Sequence, residues 1–144
     1  MSNFDILLPV FAQVALTFVL MFSMAFSRTS ALKRKDVRMA DIALGQSNWP
    51  ARTMQISNAF GNQFEMPVLF YVVVALAIVT GQVSLPLVVL AWAFVVFRAL
   101  HAYIHTSSNY VPNRFYAFAG SVFSVLAMWV VFAAHVIMAA GAAS

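Results

Sequence analysis

Seven polar side chains stand inside or at the edge of long apolar runs, and their spacing groups them. Asn58, Asn62 and Glu65 lie four and then three residues apart, so a helix carries all three on one face. Arg98, His101 and His105 follow at three and four, again on one helical face. Arg114 stands at the start of the last apolar run. A charge in hydrocarbon costs about 3 kcal/mol or more. Glu65 and Arg98 must therefore face protein, ligand or water rather than lipid. Two readings follow from the residues alone. One is a structural Glu65–Arg98 ion pair that fixes helix packing. The other is a binding site for a polar ligand at a helix interface.

The elements that position these groups are membrane spans. The chain has 144 residues, of which 63% are hydrophobic and 8% charged. A soluble domain carries about 25% charged residues, and one of this size could not hide so much apolar surface. The expected fold class is an all-α integral membrane four-helix bundle, left-handed and antiparallel, formed as one domain over residues 1–144. The spans are predicted near 4–27, 53–80, 85–106 and 114–140, each long enough to cross the ~30 Å hydrocarbon layer. The first has no basic segment before it and is long for a signal peptide. Pro67 is expected to kink the second span, freeing the carbonyl of Gln63. Gly81-Gln82 reads as a tight turn, Pro86 as a first-turn residue of the third span, and Trp49-Pro50 as an interfacial anchor and helix start. Tyr71, Tyr103, Tyr110 and Tyr116 read as belt or packing residues. Small residues from Ala117 to Ser124 allow close helix approach in the last span.

Six of the eight basic residues, Arg28, Lys33, Arg34, Lys35, Arg38 and Arg52, fall in the polar segment 28–52. The positive-inside rule makes that loop cytoplasmic and puts both termini on the non-cytoplasmic side; in a bacterial source this is the inner membrane. On that layout Glu65 lies about 18 Å and Arg98 about 12 Å from the inner end of their spans. Asn58, Asn62, Glu65, Arg98, His101, His105 and Arg114 converge in the cytoplasmic half, and this favours a ligand site over a bare ion pair.

Other chemistries fare worse. The chain has no cysteine, so any thiol must come with a ligand. A haem between two histidines is disfavoured because His135 sits toward the opposite side from His101 and His105. No metal site is expected. One carboxylate makes no proton relay, and no basic–aromatic interleaving points to nucleic acid.

Asn62-Gln-Phe-Glu65 followed by Pro67-Val-Leu-Phe70 resembles the second-helix motif of the MAPEG family, the membrane-associated proteins of eicosanoid and glutathione metabolism. Arg98-Ala-Leu-His101 followed by Arg114 is similar to that family's third- and fourth-helix pattern in its prostaglandin E synthase branch. The resemblance implies a homotrimer in lipid with glutathione as cosubstrate between neighbouring protomers, and a hydrophobic electrophile or lipid hydroperoxide as acceptor. It assigns Asn62 and Glu65 to the peptide and amino groups of glutathione, Arg98 and His101 to supporting that site, and Arg114 to stabilising the thiolate; Asn58 and His105, on the same helical faces, complete the expected glutathione-binding set. It also departs from the family pattern. Asn58 and Gly61 stand where arginines are expected, His105 where a tyrosine is frequent, and Phe118 where a tyrosine would follow the catalytic arginine. The alternative implied by these departures is a non-catalytic lipid-binding or scaffold protein of the same fold.

Overall fold

The computed structural model describes residues 2–43 and 48–142. Helix α1 runs Asn3–Lys33. It opens with the Ser2 amide donating to the Asp5 carboxylate at 2.9 Å, which satisfies one of the free donors at a helix start. The expected span end near residue 27 is exceeded by six residues, because Arg28 to Lys33 simply continue the helix. It stops where Lys35 turns left-handed (φ 60°) and the Asp36 amide donates back to the Ala31 carbonyl at 3.0 Å. That is a Schellman-type stop, with cations on the helix's negative end. In the segment that follows, α2 is a single turn, Met39–Ile42. Arg38 grips Asp41 through two 2.9 Å hydrogen bonds and holds that carboxyl below the usual carboxylate range.

The second span differs from expectation. Instead of one kinked helix there are two, α3 (Ala51–Gly61) and α4 (Met66–Val79), separated by a 3₁₀ turn at Asn62–Phe64. Pro67 has no N–H for the Gln63 carbonyl, and its ring would occupy that carbonyl's space. The chain therefore leaves the helix at Glu65 and restarts with Pro67 in the first turn of α4. Gly81, at φ +67°, makes the next turn as expected. Helix α5 spans Leu85–Thr106 and α6 spans Val111–Ala142.

These elements make four antiparallel crossings, each long and apolar enough for a membrane. α5 packs along α6, α1 lies against α3 and α5, and α4 touches α6. The half built on α4 is a dry core, with Phe70 and Phe94 stacked at 4.6 Å among Ile6, Leu87, Val73 and Met128. Toward the α3 half the apolar cluster shrinks to Leu20, Ala59 and Ala102, and polar groups fill the remaining space. Outward, Phe4, Phe11, Phe18, Phe22 and Phe26 of α1 are exposed, as are Tyr103, Tyr110 and Tyr116, which suits a surface bathed in lipid.

Close α5–α6 contact depends on Gly120. A Cβ there would lie 2.5 Å from the Phe97 ring. Gly120→Leu should therefore cost about 1–3 kcal/mol. The readout is a lower thermal midpoint in detergent, partly restored by adding Phe97→Ala.

Candidate functional site

The polar groups meet at the end of the bundle that carries the basic segment. There the last turns of α3 and the 3₁₀ break face the end of α5 and the start of α6. Between them opens a cleft of about 600 Å³. Asn58, Asn62, Glu65, His101, His105 and Arg114 all line it, together with Ser57, Gly61 and Phe118. Six of the seven residues singled out by spacing thus share one wall system. The seventh, Arg98, does not reach it.

Arg98 is fully buried behind the cleft, and its Nη2 donates to the Asn62 carbonyl at 2.6 Å. The Glu65–Arg98 ion pair of the alternative reading is not formed. Among the described residues the ion pairs are Arg34–Asp36 and Arg38–Asp41. The helix break explains the difference. It exposes a backbone carbonyl at Asn62 for the guanidinium, and it leaves Glu65 on the open side of the cleft. Arg98 is accordingly a support for the backbone that presents Asn62.

Several cleft atoms lack a protein hydrogen-bond partner although they are buried: Ser57 Oγ, Asn62 Oδ1, His101 Nδ1 and His105 Nδ1. Buried polar groups are nearly always paired, so these four atoms around one cleft leave hydrogen-bonding capacity for water or a polar occupant. The two imidazoles sit 5.5 Å apart, edge to face, and His101 packs 5.8 Å from the Phe118 ring. Phe118 supplies no hydroxyl to the cleft.

Arg114 is fixed from the α5–α6 turn. Its Nη1 donates to Asn109 Oδ1 at 2.6 Å. Asn109 itself adopts φ 51°, with its amide on the Ile104 carbonyl at 2.8 Å; asparagine tolerates that left-handed position well. The turn that ends α5 thereby aims the cation at the start of α6.

Two supports were not legible in the sequence. Gln55 Nε2 donates to the His105 carbonyl at 2.7 Å and the Ser107 carbonyl at 3.1 Å. Arg52 donates to the Thr106 carbonyl. Together they tie α3 to the free carbonyls at the end of α5. Deeper in, Gln13 of α1 is fully buried and donates to Gln63 Oε1 at 2.9 Å, while Gln63 donates to the Ala59 carbonyl at 3.2 Å. This pair clamps the 3₁₀ break to α1. Gln13→Leu strands the Gln63 oxygen and should cost about 1–3 kcal/mol, whereas the double change to leucine should be close to neutral. Thermal melts of the three proteins in one detergent measure this.

The remaining candidates lie elsewhere. Arg28 stacks over the Trp49 ring at 5.2 Å, so neither it nor Arg52 lines the cleft in place of a missing arginine. His135 borders a separate hollow with Gly81 and Gln82 at the other end of the bundle. Among the described residues, no three of His, Asp and Glu gather closely enough to hold a metal ion.

An all-helical bundle with four apolar crossings and a polar cleft at one end defines the class: a multi-pass integral membrane protein. The chain belongs to the MAPEG family, whose family model matches residues 6–134. No curated protein and no solved structure matches it. The family includes glutathione transferase-like members, which supports a glutathione-related membrane activity in broad terms.

Proposed function

We propose that the protein is a membrane glutathione-dependent transferase or peroxidase that acts on hydrophobic electrophiles or lipid hydroperoxides. The observation that carries this reading is the shared cleft of Asn58, Asn62, Glu65, His101, His105 and Arg114, with four buried polar atoms left unpaired in it. Its volume falls within the ~300–1,000 Å³ common for small-ligand sites. The donor set suits glutathione. Glu65 matches the ammonium group, Asn58 and Asn62 match the peptide units, and the imidazoles add donors or acceptors beside them. Arg98 serves by holding the Asn62 backbone rather than by contact. When bound, glutathione supplies the thiol nucleophile. Arg114, oriented by Asn109, places a cation that favours the thiolate and lowers the thiol pKa.

The working unit on this reading is a homotrimer of single-domain protomers in lipid. The cleft faces the cytoplasm by the positive-inside rule, and both termini lie on the other side. Purified protein should bind glutathione saturably and conjugate it to a small aromatic electrophile. Absence of saturable binding at millimolar thiol ends the proposal.

A second reading rests on a specific observation: among the described residues Arg114 is the one arginine lining the cleft, where the family pattern would supply more at positions 58 and 61. A non-catalytic protein that holds a lipid in this cleft would co-purify with that lipid and show no thiol turnover. Mass spectrometry of the purified protein separates the two readings.

A further inference from the structure

A second hollow, of about 460 Å³, lies on the other side of α3, between α1, α3 and the end of α5. Val19, Leu20 and Phe26 of α1 and Ile56 of α3 form its apolar wall, and Arg34 and Arg52 stand at its mouth. Two of the three serines that line it have their hydroxyls engaged within the protein. Ser23 Oγ donates to the Val19 carbonyl at 2.7 Å, and Ser27 Oγ is paired with Thr53 Oγ1 at 2.9 Å. Both arginines keep free donors. Arg34 uses Nε on Asp36, and Arg52 uses Nη1 on the Thr106 carbonyl. Lys33 and Lys35 flank Arg34 in sequence but do not line the groove, and Asp36 and Asp41 pair with Arg34 and Arg38, so Arg34 and Arg52 are the cations that line it among the described residues.

We propose that this groove binds an anionic phospholipid, with one acyl chain along the apolar wall and the headgroup phosphate between Arg34 and Arg52. An apolar wall inside a membrane span calls for hydrocarbon, and guanidinium groups at its interfacial end call for phosphate. A soluble anion would satisfy the arginines but leave the wall uncovered. A neutral lipid would cover the wall but leave Arg52 without an anion and Arg34 with the Asp36 carboxylate alone. The groove opens on the face of α3 opposite Asn58 and Gly61, so the proposal is independent of what occupies the cleft.

The test is reconstitution into bilayers of equal parts phosphatidylcholine and phosphatidylglycerol, followed by native mass spectrometry of the lipids retained on the full-length protein. Each interfacial arginine is worth about fivefold in anionic-lipid binding, so retention of phosphatidylglycerol should exceed that of phosphatidylcholine by more than about tenfold. Arg34→Gln/Arg52→Gln should bring the two lipids toward parity, whereas Lys33→Gln/Lys35→Gln should keep the preference. Ser23→Trp fills the groove with both arginines in place and should lower retained phosphatidylglycerol severalfold without loss of the folded state in a thermal melt. Equal retention by the unaltered protein overturns the proposal. So does a preference that survives the arginine changes, one abolished by the lysine changes, or unchanged retention in Ser23→Trp.

Discussion

Arg114→Ala is expected to lower the turnover of glutathione conjugation by about 10- to 100-fold while weakening glutathione binding by less than about threefold. The magnitude follows from the thiol. A free thiol near pKa 8.5 is only a few per cent ionised at neutral pH, and a cation beside it that lowers the pKa by about two units makes it mostly thiolate. Removing the guanidinium returns the sulfur to its ordinary ionisation. The pH profile carries the sign. With Arg114 in place the rate levels off near neutral pH; in the alanine variant it keeps rising to the range of a free thiol, because the reactive form is deprotonated. Asn109→Ala should give a smaller loss of the same kind, since it releases the Arg114 side chain without removing the charge. Stopped-flow thiolate absorbance, together with steady-state rates, measures both. Equal losses in turnover and binding would exclude a thiolate-stabilising role.

Gly61→Arg is expected to tighten glutathione binding by about tenfold or more, and Asn58→Arg in the same chain to tighten it further. A charge-assisted hydrogen bond to a carboxylate contributes about 1.5–3 kcal/mol. The site can take the side chain. Gly61 lines the cleft, a Cβ added there meets nothing within 4 Å, and its backbone is ordinary helix at φ −53°, ψ −39°. Replacing a helical glycine also favours α3 by up to about 1 kcal/mol. Calorimetry of the purified variants gives the dissociation constants. A protein whose cleft is built for lipid would gain no thiol affinity from either change, so this pair of variants also separates the two readings of the cleft.

The spacing of Asn58, Asn62 and Glu65, and of His101 and His105, was enough to bring those side chains to one place. A 3–4 repeat on two antiparallel helices joined through short turns leaves little freedom in which faces meet. Pro67 marked the discontinuity in the second span, but not its form. A kink and a full restart obey the same loss of one N–H, and the choice depends on what takes up the freed backbone. Here Arg98 takes the Asn62 carbonyl and Gln13 takes the Gln63 side chain. Gln13 itself carried no signal, because a lone glutamine in a long apolar helix has no periodic partner on its own strand of sequence.

By itself the sequence determined that the chain crosses a membrane four times, which helix faces are polar, and to which family it belongs. Hydrocarbon permits few charged residues, and regular helices translate spacing directly into direction. The tertiary structure alone decided which cation meets which acceptor: Arg98 sits behind the cleft, Arg114 at it, and Glu65 beside open space. Those choices turn on contacts between helices distant in sequence and on a broken turn, where the 3.6-residue period no longer says where a side chain points.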